Sequence, residues 1–426
     1  MTCTMRQLRR AVASVVAAGA LLAGVACSGG TADEEASAPT TSPPAGATTA
    51  TTSDAAPTPQ PHAPVVAPTG AAFYVPPDPL PDGRPGDLIW AAELTAPEGS
   101  RAWKVLYHSR AVDGHDIAVS GVVVAPTTHD PSSTRPVLAV GVGARGLADQ
   151  CALSMSAEQL VTSPLVQGAV TRGLVFAATD YEGLGTPGRL PYGAGESAGH
   201  SVLDAARAAT QLDGSGAGRR VVLQGHSQGS HAVLVAAALA PSYAAELDVV
   251  GVVAAAPMAD VTTAVSYAAA APQGLGFLLL FVLGLEAAYP EARASLVLTE
   301  EGLAQQAVVD QQCLDELVPL MAARQPSELV AQDPVDVPAW RAVLEENSLG
   351  AGQVDLPILV VQGDADVLLP KALADDYVAR LCTAGDTVDY RVYAGADHVS
   401  VLPLSQPDVD SWVAQRLAGE PATSTC

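Results

Sequence analysis

Gly225-His226-Ser227-Gln228-Gly229 decides the reading of this chain. The pentapeptide follows the apolar run Val221-Val222-Leu223 and leads into residues 232–240, an alanine-rich stretch that reads as a helix. Strand, sharp turn and helix form the context that a Gly-x-Ser-x-Gly nucleophile elbow requires. The flanking Gly225 and Gly229 let the backbone turn tightly without a Cβ clash, so the Ser227 hydroxyl is expected to stand exposed above the sheet edge. The backbone N–H of Gln228, at the start of the following helix, would then face a developing oxyanion. The five residues alone occur by chance in many chains. In this setting they predict a serine hydrolase.

The partners of such a serine follow it in the order acid, then histidine. Only His231 and His398 lie C-terminal to Ser227. His231 sits one helical turn on, where its side chain should pack beside the elbow and not face the hydroxyl. His398 lies in the glycine-containing turn Ala394-Gly395-Ala396-Asp397-His398-Val399, just after the strand-like residues 388–393, and is the expected base. The acid is expected after the buried, β-branched strand at residues 356–362, in Gly363-Asp364-Ala365-Asp366. A carboxylate there can fix the tautomer of the imidazole and stabilise the imidazolium. Asp366 is the expected acid, and Asp364 is expected to hold the turn. The second oxyanion donor should come from the glycine-rich loop Gly141-Val142-Gly143-Ala144-Arg145-Gly146 that follows the strand at 136–140. Spacing leaves Gly143 and Ala144 as alternative donors.

Three segments carry a resemblance. Residues 143–151 (Gly-Ala-Arg-Gly-Leu-Ala-Asp-Gln-Cys), residues 180–188 (Asp-Tyr-Glu-Gly-Leu-Gly-Thr-Pro-Gly) and residues 225–241 around the elbow resemble the secretory lipase family, related to lipase A of the yeast Candida. The similarity runs from about Ala71 to the C-terminus. It implies an α/β fold of the α/β-hydrolase type: a mostly parallel sheet with helices on both faces and an inserted helical cap. It also implies hydrolysis of carboxylic esters, often long-chain acylglycerols, with nucleophile, acid and base at Ser227, Asp366 and His398. The chain departs from the pattern at Val142-Gly143-Ala144, where bacterial relatives often have His-Gly-Thr. A side-chain hydrogen bond that would support the oxyanion loop is thereby lost, while a backbone donor can survive.

The N-terminus reads as an export signal. Arg6, Arg9 and Arg10 precede the apolar residues 11–26, a run short for a membrane span, so residues 1–26 are expected to be a signal peptide. Small residues before Cys27 and a polar tract after it predict cleavage before Cys27 and lipidation of its thiol, with simple secretion as the alternative. Residues 27–70 are rich in Ala, Thr, Ser and Pro and hold too little apolar surface to offset their ordering entropy; they read as a disordered stalk. Residues 71–426 form the expected hydrolase domain, with the cap at about 259–336.

With Cys3 in the signal and Cys27 acylated, Cys151, Cys313, Cys382 and Cys426 remain, an even set suited to an oxidising compartment. Four cysteines allow three pairings; the family resemblance, not the sequence, favours Cys151–Cys313 with Cys382–Cys426. No Cys-x-x-Cys and no His-Glu-x-x-His occurs, so no metal site and no cofactor is expected. Acidic residues number 45 against 21 basic, a formal charge of −24, which argues against nucleic acid as a partner and against electrostatic docking on anionic lipid. The expected partners are a small-molecule or lipid ester and, through Cys27, a membrane. Oligomeric state is not encoded in any readable feature.

Residues 174–179, 201–211 and 248–255 add a strand, a helix and a further strand to the α/β series. Tyr181 and Glu182, at the end of the first of these, either border the site or only shape the loop. The apolar run at 275–285 is too short to cross a bilayer. It reads as a buried cap helix or as the wall of an acyl channel or lid, and the two are compatible. An acyltransferase or a peptidase would use the same triad, and a surface-binding protein on a degenerate hydrolase fold would need none of it.

Overall fold

Three consecutive residues, Val221, Val222 and Leu223, show how the domain is layered. The computed structural model describes residues 66–128, 133–350 and 354–426. The expected signal peptide, Cys27 and nearly all of the expected stalk lie outside the described residues. The three residues sit in β6 (Ala217–His226). Val221 and Leu223 face one apolar cluster, shared with the helices Gly195–Thr210 and Gln228–Tyr243. Val222 faces the other, shared with the helices Pro164–Thr171 and Val401–Ala418. Side chains alternate along a strand, so an apolar run without polar interruption demands cover on both faces.

Eight further strands complete the sheet: β1 (Leu88–Leu94), β2 (Ser100–Arg110), β3 (Asp116–Pro126), β4 (Arg135–Gly141), β5 (Val175–Thr179), β7 (Asp248–Ala255), β8 (Ile358–Gly363) and β9 (Val388–Tyr393). Their order is β1-β2-β3-β5-β4-β6-β7-β8-β9. The pairs from β5 to β9 are parallel, and β1, β2 and β3 add antiparallel strands at the other end. This is the α/β-hydrolase fold. The helix before β6 begins at Gly195, six residues before the expected Ser201. Its first turns are rich in small residues because they press on the elbow helix: a Cβ at Gly199 would lie 3.0 Å from the Ala236 amide nitrogen.

The chain leaves the sheet between β7 and β8 to build the cap from Val261–Ala270, Leu275–Ala288, Leu314–Ala322 and Pro338–Glu346, with shorter turns between them. The last of these lies beyond the expected boundary at 336. Pro338 stands in its first turn, where proline's missing N–H has no intrahelical partner. Buried Trp340 fixes this helix by donating its indole N–H to the Arg293 carbonyl at 3.0 Å. In Leu275–Ala288 every residue through Leu285 is buried except Phe277. Among the described residues no helix is long and apolar enough to cross a membrane.

Cys151 is bonded to Cys313, and Cys382 to Cys426. The first bridge joins the segment after β4 to the cap, where Gly146 also pairs with Cys313 as an antiparallel bridge and the Leu314 amide donates to the Arg145 carbonyl at 2.8 Å. The second fixes the C-terminal tail beside β9: the Thr425 amide donates to the Val388 carbonyl at 2.7 Å, and the Tyr390 amide donates to the Thr425 hydroxyl at 3.0 Å.

The two bridges enclose 162 and 44 residues of sequence separation. In the chain-entropy model they stabilise by about 5 and about 4 kcal/mol. Replacing Cys151 and Cys313 by Ala should therefore lower the unfolding free energy more than replacing Cys382 and Cys426. Because only the first bridge holds the cap, its loss should also reduce hydrolysis of long-chain esters more than of acetates. Urea unfolding with a paired ester assay reads both effects; equal loss on the two substrates would remove the cap from the explanation.

Candidate active site

The elbow begins with glycines that have no room for side chains. A Cβ on Gly225 would collide with the Gly229 carbonyl, and one on Gly229 with the Gly141 carbonyl at the end of β4. A Cβ on Gly141 would lie 2.6 Å from the Gly229 oxygen. Between them Ser227 adopts φ 57°, ψ −121°, a conformation costly for a residue with a side chain. It is held there by its own amide, which donates to the Ala255 carbonyl at 3.0 Å, and by its carbonyl, which accepts from the Ser230 amide at 3.0 Å. The helix Gln228–Tyr243 starts at the next residue, so the positive end of its dipole lies at the serine. Tyr181, Ser227 and Ala256 are the non-glycine residues of positive φ among the described residues, and they follow β5, β6 and β7 at one edge of the sheet. Backbone strain concentrates where the candidate nucleophile stands.

Asp366 and His398 meet across two loops. His398 Nδ1 lies 2.8 Å from Asp366 Oδ2. A carboxylate accepts, so Nδ1 carries the proton and Nε2 of the neutral ring is left with its lone pair. The other carboxylate oxygen accepts from the Leu368 and Leu369 amides at 2.9 and 2.8 Å, and Gln362 donates to Oδ2 at 3.2 Å. Burial alone would raise the Asp366 carboxyl. The His398 bond and charge and the two amides outweigh it and hold the group below the usual carboxylate range. Asp364 bonds elsewhere: its carboxylate accepts from the Gly395 amide at 2.6 Å and ties the acid loop to the histidine loop.

Two further histidines surround the elbow. His231 is buried and donates its Nε2 proton to the Asn347 carbonyl at 2.8 Å, away from the serine. Asn347 also accepts from the Gly195 amide at 2.8 Å and donates to the Tyr289 hydroxyl at 3.0 Å, so it pins the base of the cap to the helices under the site. His226, the residue before Ser227, donates to the His398 carbonyl at 2.8 Å. Burial pushes both rings down to about 4; the nearby His398 adds to this at His226. Both are neutral at pH 7. The elbow motif names His226, but no sequence signal revealed its partner.

The glycine-rich loop after β4 is held by side-chain hydrogen bonds. Tyr181 donates its hydroxyl to the Val142 carbonyl at 2.8 Å, and Arg145 donates to the Cys151 carbonyl at 2.8 Å. Gly143 lies beside the His226 ring, a Cβ there falling 3.4 Å from Nδ1. Ala144 follows it in the same loop, and Gln228 is buried at the start of the elbow helix. Tyr181 thus serves the site as a strut, whereas Glu182 accepts from Ser197 near the start of the helix Gly195–Thr210. Ser227 opens onto a cavity of about 310 Å³. Its walls are mostly apolar: Phe277 and Phe281 from the cap, Leu368 and Leu369 from the loop after β8, and Met258 after β7, with Gln273 and Tyr267 also in the lining. Among the described residues no group of three or more His, Cys, Asp or Glu side chains is placed to hold a metal ion.

The family described as secretory lipase matches residues 148–425. A probable inactive lipase of Mycobacterium tuberculosis is 26% identical over 385 residues, covering 84% of each chain. Lipase A of Arthroderma benhamiae is 25% identical over 399 residues, covering 85% of this chain and 82% of its own. Among solved structures, Candida antarctica lipase A superposes with a TM-score of 0.71 at 20% identity over 81% of this chain and 84% of its own, a likeness of fold.

The buried imidazoles make stability depend on pH with a defined sign. His231 is held at about 4 in the folded chain against about 6.5 unfolded. Between those values the unfolded chain takes up a proton that the folded one refuses. Stability is therefore complete above about pH 6.5 and falls as pH drops toward 4, by on the order of 3 kcal/mol for a fully buried ring. The depressed Asp366 carboxyl removes more below its unfolded value of about 3.8. Urea unfolding at pH 7 and pH 4.5 should show His231→Gln, which keeps an N–H for Asn347, losing less on acidification than the wild type. Equal losses would clear His231 of this effect.

Proposed function

Because the chain belongs to the secretory lipase family and is a carboxylic ester hydrolase, we propose that it cleaves esters of apolar acyl groups through a Ser227-Asp366-His398 triad and an acyl-enzyme. The observation that carries this reading is the Asp366–His398 hydrogen bond, two loops from a strained serine that opens onto an apolar cavity. His398 Nε2 takes the Ser227 proton as the oxygen attacks the acyl carbonyl. Asp366 keeps the ring in the required tautomer and stabilises the imidazolium. The Gln228 amide and an amide of Gly143 or Ala144 bind the tetrahedral oxyanion. Proton return from His398 expels the alcohol, and water, activated by the same ring, releases the acid. The acyl chain lies between Phe277, Phe281, Leu368 and Leu369. A cavity of about 310 Å³ is at the small end of ligand sites and suits an acyl chain more than a whole acylglycerol.

One relative bears the name of an inactive lipase, which favours a second reading, a binding protein on the same fold. The bonded Asp366–His398 pair and the strained Ser227 support catalysis over it. Hydrolysis of a p-nitrophenyl ester series from acetate to long chains tests both. Ser227→Ala and His398→Ala should each lower kcat by roughly 10⁴–10⁶, and Asp366→Asn should do more damage than Asp364→Asn. Glycerol added as an acceptor separates hydrolysis from acyl transfer. A wild-type protein that binds these esters without turning them over would establish the binding reading, and equal activity of the two Asp variants would displace Asp366 as the acid.

Its disulfides and its family mark the chain as an exported protein. We further propose that Cys27 is lipidated and holds the enzyme at a membrane surface through the Ala/Thr/Pro-rich tract. The full-length protein should then partition into the detergent phase, and Cys27→Ala should move it to the medium. Wild-type protein recovered only in the aqueous phase with an unmodified N-terminus would leave secretion as the route.

A further inference from the structure

His226 touches more of the candidate machinery than its place beside the nucleophile requires. Its backbone is the last residue of β6, paired with Ala255 of β7, so its Cα is fixed by the sheet. Its ring lies against the His398 ring, centroids 4.6 Å apart and tilted 46°. Its Nε2 proton goes to the His398 carbonyl, and its Nδ1 edge faces Gly143. The histidine loop has other fastenings. Before the histidine, Asp364 accepts from the Gly395 amide and the Ala365 amide donates to the Ala396 carbonyl at 3.0 Å; after it, the Asp397 carboxylate accepts from the Val399 and Ser400 amides. None of these acts on His398 itself. Asp366 holds the far edge of the His398 ring, and His226 holds its backbone.

We propose that His226 is a positioning residue for His398, setting the distance between the base and Ser227 by locking the histidine loop to the strand that carries the nucleophile. The proposal rests on the triad reading above. A flat ring with one N–H meets three demands at once: it fills the space between two loops, reaches a carbonyl, and carries no charge. The last matters during acylation, when His398 becomes an imidazolium at 4.6 Å. A second cation there would oppose it, and a carboxylate would compete with Asp366. Burial, which pushes His226 down to about 4, keeps the neighbour neutral throughout turnover.

The test compares His226→Phe, which keeps a ring without the donor, with His226→Gln, which can still reach the carbonyl, and His226→Asn, which is polar but too short. Active enzyme is counted by fluorophosphonate labelling of the serine. His226→Phe and His226→Asn should lower kcat about 10–100-fold, the scale of a displacement near 1 Å, with KM changed about twofold or less. His226→Gln should recover most of the loss. A second readout does not depend on turnover: the low-field proton resonance of His398 Nδ1–H should exchange faster in the Phe and Asn variants and be restored in the Gln variant. Values of kcat within about twofold of wild type in both Phe and Asn variants, with an unchanged resonance, would overturn the proposal. So would equal damage in all three, which would reduce His226 to packing. If the wild type hydrolyses no ester, the triad reading fails, and the resonance still decides whether His226 holds His398.

Discussion

The contact between Gly141 and Gly229 is the constraint on which the site depends. Two backbones meet there with no side chain between them, and a Cβ on either residue would collide with the other. Gly141 ends the strand that feeds the glycine-rich loop, and Gly229 stands two residues after Ser227. Their contact therefore sets the separation between the loop and the serine, and it does so with backbone, the part of a protein that adjusts least. The left-handed turn at Ser227 follows: the chain must reverse from strand to helix in one residue while its neighbours are already touching. The hydrogen bonds around that turn, to Ala255 and from Ser230, distribute the cost over β7 and the elbow helix.

The cap extends the same economy upward. Its helix Leu275–Ala288 is apolar on all sides, which suits a helix enclosed on all sides. Gly284 lets it come close to the Tyr192 backbone, a Cβ there falling 2.5 Å from the amide nitrogen. Phe277 and Phe281 then remain to face the cavity. The cap is thereby joined to the hydrolase core by Asn347 and by Cys151–Cys313.

Much of this was legible because the relevant signals are local. The elbow, the parallel strands from β4 to β9 and the turn that carries Asp364 and Asp366 are each contained within about a dozen residues, where period, glycine placement and strand length can be read. The antiparallel strands β1 to β3 went unread: their polar residues, such as Arg101, Lys104 and Ser120, interrupt the alternation, and only pairing with one another defines them. The insertion between β7 and β8 carries one helix past the expected end at about 336, Pro338–Glu346, which opens on a proline at its first turn. His226 and Asn347 were beyond reach for a different reason. Their hydrogen bonds join residues 172 and 116 apart in sequence, and no spacing rule connects such positions before the fold has done so.

The C-terminal tail gives the sheet an ending. β9 is the last strand of the order, and an outermost strand presents a row of unpaired amides and carbonyls on which another chain can add itself. Here the Thr425 amide takes up the Val388 carbonyl and its hydroxyl the Tyr390 amide, and Cys426 is covalently bound to Cys382, so the first half of that row is occupied by the protein's own tail, which the disulfide keeps from fraying. The second half carries Arg391, paired with Asp389 and Asp408, a charged cluster on which a neutral strand has little to gain. The edge of β9 thus offers little free backbone on which a second chain could extend the sheet.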